Sequence, residues 1–481
     1  MQVYDKLYIG GEWVEPEGKG TIDVISPHTE EVIGRVPDAT PADMDRAVAA
    51  ARQAFDDGPW PRMTPAERAE GIKRLSGALQ SRSQDIADVI SSENGSPKSW
   101  SLMGQVFSAT MVLDSYAGMA SGYGWEDRRT GALGTPVIVR KAPVGVAAGI
   151  IPWNVPLFIS ALKLGPAMAA GCPIVLKPAP ETPLDGYLLA EAVAEADLPP
   201  GVVNVVAAGR ETGEHLVRHP GIDKVSFTGS TAVGKHIGEL CGGMLKRVTL
   251  ELGGKSAAIV LDDVNLDEAT LGNLVMSGLM NNGQVCGAQS RVLVSKRRYD
   301  DVLEALGGAV GALKVGDPLD DSVQVGPLVA ERQRTRVEGY LQAGKDAGAR
   351  PVVGGGRPAD LPTGWYIEPT VFANVSNDMK IAREEIFGPV LSVIPYDDEK
   401  EAIAIANDSD YGLCGSVWTA DPEHGAAVAA QVRTGVVAVN SSMILDFNAP
   451  FGGFKQSGIG RELGPEGIDP YTEYQTIILP A

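Results

Sequence analysis

Between residues 142 and 240, short apolar runs alternate with longer amphipathic segments. The runs VGVAAGII, CPIVLKP, GVVNVVAA and KVSFTG are typical of buried strands, whereas ALKLGPAMAAG, PLDGYLLAEAVAEAD, ETGEHLVRH and TAVGKHIGEL are typical of helices. Strands and helices that alternate in this way form βαβ units, which build a parallel, doubly wound sheet. Ligands of such sheets bind at the carboxyl ends of the strands.

A second series of the same kind begins near residue 255. Its runs KSAAIVLDD, SRVLVS, VLSVIPY and GVVAVN predict strands, and DVLEALGGAVGAL and LVAERQRTRVEGYLQAGKDAG predict helices. The first third of the chain is predicted to be helical, and TPAERAEGIKRLSGAL begins with a capping box of Thr64 and Glu67 around Pro65. We therefore predict an α/β fold of two doubly wound, Rossmann-like lobes with a ligand cleft between them.

Composition narrows the class of protein. The chain has 481 residues, more than a domain with a single hydrophobic core usually contains. Its 61 acidic and 41 basic residues give a net charge of −20. This charge argues against a nucleic-acid or anionic-membrane surface. The chain has no CxxC pair and no HExxH motif, so neither a metal site nor a disulfide framework is expected. Few cysteines, no signal-like N-terminus and no long apolar span favour a cytoplasmic protein.

The stretch KVSFTGSTAVGKHI is a candidate nucleotide-binding turn. Gly229 and Gly234 bracket the change from strand to helix, where exposed N–H groups and the helix dipole suit a pyrophosphate. The glycine spacing is not GxGxxG, and Lys235 is followed by histidine rather than by the serine or threonine of a Walker A motif. Spacing alone leaves both nucleotide binding and an ordinary glycine turn open.

The stretch NNGQVCGAQSR is a candidate catalytic loop, because it places Cys286 among small residues that leave the thiol open. A thiolate that attacks an aldehyde gives an oxyanion that needs N–H donors, and hydrolysis of the resulting thioester needs a general base. Asn154 in IPWNVP and Glu251 in LELGGKS are candidates for these two roles. Taken singly, each of the three residues also has a structural interpretation, as an inert thiol, a turn former or the end of a strand.

Seven motifs occur together and in order: IPWNVP, LKPAPETP, FTGSTAVG, LELGGKS, NNGQVCGAQSR, EEIFGPV and PFGGFKQSGIGRE. In this order they resemble the aldehyde dehydrogenase superfamily, and the resemblance runs from YIGGEWV to YTEYQT. It implies that Cys286 is the nucleophile, that Glu251 is the base, and that Asn154 and the Cys286 N–H bind the oxyanion. It also implies that Lys163 and Glu473 relay protons.

The resemblance further implies a set of cofactor-binding residues and a set of substrate-pocket residues. The cofactor set is Ile151, Trp153, Lys177, Pro180, Gly229, Ser230, Gly234, Leu252, Glu385 and Phe387. The pocket set is Val155, Leu162, Val285, Gly287, Leu445 and Phe451. No residue of the pocket set is charged, which favours an apolar or aromatic aldehyde over a semialdehyde carboxylate.

The resemblance also implies a division into domains and an assembly. A nucleotide-binding domain is expected at 1–119 and 141–252, a catalytic domain at 253–450, and a β arm at 120–140 and 451–481 that builds a homodimer or homotetramer. NAD is the expected cofactor, with NADP tolerated, because Pro180 stands where many NAD-linked members carry glutamate. Glu181 follows it, and no arginine or lysine that would attract a 2′-phosphate lies nearby in sequence.

Three other functions stay open beside oxidation of an aldehyde to an acid. The first is a CoA-acylating dehydrogenase, which Glu251 disfavours because water must not compete there. The second is a cysteine esterase that needs no cofactor, and the third is a non-enzymatic NAD-binding protein. Retention of Cys286, Glu251 and Asn154 together argues against the third.

Overall fold

A computed structural model describes residues 1–480 and contains two large sheets made mainly of parallel strands. The first sheet has eight strands, in the spatial order Gly458–Ile459, Arg247–Glu251, Lys224–Thr228, Ala147–Ile150, Ile174–Lys177, Val203–Val205, Leu7–Ile9 and Glu12–Val14. The five strands between residues 147 and 251 run parallel to their neighbours in this group. The strands at both edges of the sheet are antiparallel.

Helices cover both faces of the first sheet, as the apolar strands require. Ala147 and Ile174 belong to one hydrophobic cluster, whereas the next residue of each strand, Ala148 or Val175, belongs to another. Side chains of a strand alternate between its faces, so both faces are buried. The helices of this half are Pro41–Asp56, Trp60–Arg62, Pro65–Gln80, Ser83–Asn94, Lys98–Trp100, Ser101–Phe107, Ser108–Ala120, Pro156–Ala170, Leu184–Glu195, Arg210–Arg218 and Thr231–Met244.

The second sheet has seven strands, in the order Arg350–Val353, Thr370–Ala373, Val390–Tyr396, Arg291–Ser295, Ala257–Val260, Cys414–Trp418 and Val436–Val439. All pairs are parallel except the first. Its helices are Glu268–Leu279, Met280–Gly283, Tyr299–Gly311, Glu331–Asp346, Lys380–Arg383, Glu399–Asn407 and Pro422–Ala429. The predicted α/β class with two doubly wound lobes is confirmed.

The beginning of the chain differs from its predicted helical character. Residues before 40 form the strands Gln2–Val3, Leu7–Ile9, Glu12–Val14, Thr21–Ile25 and Val32–Pro37. The first, fourth and fifth make a small separate sheet, and the other two extend the first large sheet at its edge. These strands are short and partly exposed, so they lack the long apolar runs that predicted the central strands. The predicted capping box of Thr64 and Glu67 is present.

A third sheet contains the antiparallel strands Thr472–Ile478, Pro136–Pro143 and Glu126–Thr130. Its outer strand Glu126–Thr130 is exposed throughout. Not all of the predicted arm at 451–481 joins this sheet. Gly458–Ile459 pairs instead with strand Arg247–Glu251, and Phe454–Lys455 pairs with Tyr411–Gly412. The short helices Pro465–Gly467 and Asp469–Tyr471 connect the two regions.

Within residues 1–480, no helix has both the length and the apolar character needed to cross a bilayer.

Candidate active site

Close contacts bring the thiol loop of the second lobe against the first lobe. Glu251 ends strand Arg247–Glu251, and the linker that follows it passes beside Cys286. A Cβ atom on Gly254 would lie 2.2 Å from the main-chain oxygen of Cys286, so only glycine allows this approach. The linker that joins the lobes therefore also packs against the candidate nucleophile.

The Cys286 thiol is half-buried. Burial and, to a smaller extent, the nearby carboxyls of Glu385 and Glu251 raise its pKa to about 12, against the opposite effect of the N–H groups of Gly287 and Cys286. The thiol is therefore protonated at neutral pH in the protein alone. Nucleophilic attack requires a base to remove this proton or a positive charge to stabilise the thiolate.

The side-chain amide of Asn154 is fixed in orientation. Its Nδ2 donates a hydrogen bond to the main-chain oxygen of Gln284 at 2.8 Å, two residues before Cys286. A primary amide carries two N–H groups, so one remains to stabilise an anion beside the thiol. Asn154 is the only buried polar residue between the strand Ala147–Ile150 and the helix Pro156–Ala170.

Glu251 is buried, and neither of its carboxyl oxygens has a hydrogen-bond partner within residues 1–480. Burial and the neighbouring carboxyl of Glu462 raise its pKa well above the usual range, whereas Lys163 and Arg461 lower it less. A buried carboxyl with a raised pKa and free oxygens is suited to accept a proton at neutral pH.

The predicted pairing of Lys163 with Glu473 is wrong. The buried Lys163 ammonium contacts Glu462 Oε1 at 2.9 Å and donates to Thr228 Oγ1 at 2.8 Å. Glu473 lies in the third sheet, and its exposed carboxylate pairs with Arg247 at the surface. Glu462 is the acidic residue at the end of the motif PFGGFKQSGIGRE. The sequence shows this residue but does not show that it is buried beside Lys163.

Two of the cofactor candidates keep hydrogen-bonding groups free for a ligand. Lys177 donates to the main-chain oxygens of Pro178 and Ala208 at 2.8 and 2.9 Å, so one of its three N–H groups is left for a ligand. Burial lowers its pKa to about 8. Glu385 Oε1 accepts from the Gly254 N–H at 2.9 Å, and burial raises the pKa of Glu385 to about 7.

The remaining cofactor candidates follow the ends of strands of the first sheet or pack against residues there. Ser230 is the exposed N-cap of helix Thr231–Met244, whose free N–H groups suit an anion. The rings of Trp153 and Phe387 meet edge to face at 5.2 Å. Three more candidates lie at this edge of the first sheet and are half-buried or buried: Ile151, Gly229 and Leu252. At Gly234, a Cβ atom would lie 2.3 Å from Leu252 Cδ2, so this glycine permits helix packing rather than ligand contact.

The region around Pro180 contains a basic residue that sequence distance concealed. Arg332, from helix Glu331–Asp346 of the second lobe, pairs with Glu181 at 2.6 Å. The fold thus brings the Arg332 guanidinium next to Glu181, although the two residues are about 150 positions apart in the sequence. Glu181 is held by this pair and lies four residues after Lys177.

A cavity of about 1790 Å³ opens beside the thiol loop. Of the predicted pocket residues, Val155, Val285 and Leu445 line it. Leu162, Gly287 and Phe451 do not: Leu162 and Phe451 pack in the hydrophobic core, and Gly287 packs against Ile444.

The cavity wall is apolar with an acidic minority. Its large apolar side chains include Trp100, Met103, Phe107, Met111, Met276 and Phe447, none of which was predicted. Its charged side chains are Asp114, Glu268, Glu304, Asp321 and Asp446, and no lysine or arginine of residues 1–480 lines it. Such a wall excludes an anionic ligand more strongly than a neutral one.

Among residues 1–480, no group of three or more histidine, cysteine, aspartate or glutamate side chains is arranged to hold a metal ion.

The sequence profile of the aldehyde dehydrogenase family matches residues 13–477. The chain belongs to the aldehyde dehydrogenase family. It is 48% identical over 478 residues to a geranial dehydrogenase of Castellaniella defragrans, a match that covers 99% of both chains.

Solved structures agree with this assignment. An aldehyde dehydrogenase of Mycobacterium tuberculosis complexed with NAD+ superposes with a TM-score of 0.97 at 50% identity and covers 100% of this chain and 99% of its own. An aldehyde dehydrogenase of Pseudomonas syringae complexed with NAD+ and octanal gives a TM-score of 0.95 at 40% identity, covering 99% of this chain and 97% of its own.

Replacement of Glu462 tests the corrected pairing, with Glu473 as the matched control. Glu462→Gln leaves the buried Lys163 ammonium without its counter-charge, so we expect a loss of about 3 kcal/mol of stability and at least a tenfold loss in kcat. Because Glu462 raises the pKa of Glu251, the acidic limb of the kcat profile should move to lower pH. Denaturant unfolding and pH-dependent turnover measure these effects.

Glu473→Gln removes only an exposed ion pair, so stability should change by less than about 1 kcal/mol and kcat should stay within about twofold. Equal effects of the two substitutions on kcat would contradict the assignment of the buried acid to Glu462.

Proposed function

We propose that this protein oxidises apolar aldehydes to carboxylic acids through a covalent intermediate on Cys286, with NAD as hydride acceptor. The observation that carries the proposal is the meeting of Cys286, Asn154 and Glu251 beside a large, mainly apolar cavity without lysine or arginine. Membership of the aldehyde dehydrogenase family supports the reaction type.

The chain's own residues divide the covalent step between them. Glu251 takes the thiol proton, and the Cys286 sulfur forms a bond to the aldehyde carbon, so that the carbonyl oxygen becomes an oxyanion. The free N–H of Asn154 and the main-chain N–H of Cys286 stabilise this oxyanion. The high pKa of the isolated thiol makes this proton transfer a necessary part of the step.

The groups along the cleft fit NAD. Lys177 and Glu385 each keep hydrogen-bonding capacity for ribose hydroxyls, and the N-terminus of helix Thr231–Met244 suits the pyrophosphate. When bound, NAD+ supplies a hydride acceptor, and the covalent intermediate is thereby oxidised to a thioester. The NAD+ complex of the Mycobacterium tuberculosis protein supports this choice of cofactor.

Hydrolysis of the thioester returns the enzyme to its starting state. Once Glu251 has passed on the thiol proton, it removes a proton from water and the hydroxide adds to the thioester carbon. The C–S bond then breaks, the acid is released, and the leaving sulfur takes the proton back from Glu251, which restores the Cys286 thiol. Glu462 and Lys163 lie behind Glu251 and provide a buried acid and ammonium through which its proton passes inward. Proton acceptance by Glu251 is what separates this route from transfer of the acyl group to CoA.

The cavity favours neutral, extended aldehydes. Its wall combines aromatic rings with methionines, which adapt to irregular apolar ligands. Two similar proteins support an apolar chain as the substrate. One is named geranial dehydrogenase, and the solved structure of the other contains octanal.

We further propose a homodimer or homotetramer built through the third sheet, in the cytoplasm. Strand Glu126–Thr130 has an unpaired edge, and the exposed side chains of Tyr474 and Ile478 lie on Thr472–Ile478 of the same sheet. All four cysteines are free thiols, in keeping with a reducing compartment.

Two substitutions test the covalent route. Cys286→Ala should abolish NAD-linked oxidation, because the other thiol near this loop, Cys414, is fully buried and not open to an aldehyde. Glu251→Gln should slow turnover by about 10² or more by removing the base. If thiol activation persists in that variant, mass spectrometry of the quenched reaction should show an acyl adduct. Oxidation by Cys286→Ala at the rate of the unmodified protein would overturn the proposal.

A homologous series of aldehydes tests the cavity. Each CH₂ buried from a fitted chain should contribute about 0.8 kcal/mol, a few-fold in kcat/KM, from butanal to octanal. Succinic semialdehyde, with a similar length and a negative charge, should be disfavoured by the five acids of the wall. The kcat/KM values at one ionic strength measure both effects, and preference for the semialdehyde would show that the cavity does not select substrates in this way.

Cofactor preference depends on the pair of Glu181 and Arg332. We expect NAD to be preferred by a modest margin, and Pro180→Glu should widen the margin about tenfold by adding an acceptor and a negative charge. Glu181→Gln frees the exposed Arg332 guanidinium, so kcat/KM for NADP should rise relative to that for NAD, and more so at low salt. A tenfold preference of the unmodified protein for NADP would contradict the expectation, as would unchanged ratios in both variants.

A further inference from the structure

Four consecutive buried residues, Glu93 to Ser96, end helix Ser83–Asn94 and form the turn after it. We call them the ENGS turn. They do not line the large cavity, and they lie about 60 residues before Asn154 in sequence. Together they nevertheless make hydrogen bonds to three other segments: the start of helix Leu184–Glu195, the loop of Asn154 and the thiol loop.

Glu93 holds the start of helix Leu184–Glu195. Its two carboxyl oxygens accept from the main-chain N–H groups of Leu184 and Asp185, both at 2.9 Å. The residue preceding this helix, Pro183, makes no side-chain cap, so Glu93 supplies the cap from a distant segment. This helix follows directly on the loop that carries Lys177 and Pro180.

Asn94 holds the loop of Asn154. Its Nδ2 donates to the main-chain oxygen of Asn154 at 3.1 Å, and Asn281 Nδ2 donates to the same oxygen at 2.9 Å. The Asn94 Oδ1 atom accepts from the Ser96 N–H at 2.8 Å, which fixes the plane of the Asn94 amide. Both lone pairs of the Asn154 carbonyl are thus used, so this peptide unit is held in one orientation.

Gly95 and Ser96 hold the thiol loop. The Ser96 hydroxyl donates to Asn281 Oδ1, and the Gly95 oxygen accepts from Asn282 Nδ2 at 2.8 Å. The backbone of Gly95 has φ +81°, and a Cβ atom there would lie 2.4 Å from the Pro327 oxygen, so this position requires glycine.

The thiol loop needs such support because its backbone has an unfavourable, left-handed conformation at consecutive residues. Asn281 and Asn282 have φ of 51° and 60°, and Gly283 follows with 70°. Consecutive left-handed residues other than glycine each cost about 1 kcal/mol or more and persist only where their surroundings fix them. Here the side-chain amides of both asparagines are bonded to the ENGS turn or to its neighbours.

We propose that Asn94 and Ser96 are positioning residues: Asn94 orients the Asn154 amide toward the oxyanion, and Ser96 holds the strained loop that presents Cys286. The proposal rests on the function proposed above for Asn154 and Cys286. Neither residue lines the cavity, so we expect their effect to be on kcat rather than on binding of NAD.

A double-mutant cycle tests the role of Asn94. Asn94→Ala should lower kcat about 10- to 100-fold, since displacement of a reacting group by about 1 Å has this order of effect. In a protein that already carries Asn154→Ala, there is no amide to orient, and the same substitution should lower kcat by less than threefold. The KM for NAD should stay within twofold of the unmodified value in every variant.

Asn204→Ala is the matched control. Asn204 is fully buried, donates to the Gly201 oxygen at 2.9 Å and accepts from the Gly10 N–H at 2.8 Å, so its loss resembles the loss of Asn94. It should lower the melting temperature to a similar extent but leave kcat within about twofold in both backgrounds. A general loss of stability therefore gives a different result from a loss of orientation.

Ser96→Ala removes a single oxygen and serves as the test should Asn94→Ala not fold. It should change the rate of Cys286 alkylation by iodoacetamide at least threefold and lower kcat about tenfold. Ser76→Ala, which removes another buried hydroxyl in helix Pro65–Gln80, should change neither.

The outcomes separate the two proposals. If Cys286→Ala retains activity, the proposed function is wrong. If Cys286→Ala is inactive but Asn94→Ala and Ser96→Ala keep kcat within twofold, or if Asn94→Ala lowers kcat equally with and without the Asn154 amide, the positioning role is overturned and the proposed function stands.

Discussion

The main-chain oxygen of Asn154 accepts hydrogen bonds from Asn94 and Asn281, and this pair of bonds joins segments from both lobes at one peptide unit. The side chain of Asn154 completes the junction by donating to Gln284 in the thiol loop. A relative shift of the lobes would have to break these bonds in a buried setting, where unpaired polar groups are costly. The distance between the Cys286 thiol and the Asn154 side-chain amide is therefore set by the same contacts that join the lobes.

Charge in the site is arranged around one buried ammonium. Glu251 and Glu462 are both buried, and two neighbouring carboxylates without a counter-charge would be unfavourable. Lys163 offsets the charge of Glu462 directly, while Glu251 keeps its oxygens unpaired. The result is an asymmetric pair of acids, in which one is fixed by a partner and the other is free to exchange a proton.

The central strands and helices were predictable because each has an apolar run of the right period, and the buried parallel strands make these runs continuous. The short strands before residue 40 have no such runs, so they were predicted wrongly as helix. Ordered motifs identified Cys286, Asn154 and Glu251 as candidates, because their chemistry is local to each loop. Pairings across the fold were not predictable in this way. The resemblance points to Glu473 where the structure pairs Lys163 with Glu462, and sequence distance conceals Arg332, since only the folded chain brings distant charges together.

The charged side chains of the cavity wall are all acidic, so they act differently on a neutral ligand and on an anionic one. An aldehyde is neutral, whereas the acid formed from it is an anion, and the charged side chains that line the cavity are all exposed carboxylates: Asp114, Glu268, Glu304, Asp321 and Asp446. Like charges raise the free energy of the bound product relative to the bound substrate. In the function proposed above, the side chains that disfavour anionic substrates therefore also disfavour binding of the anionic product.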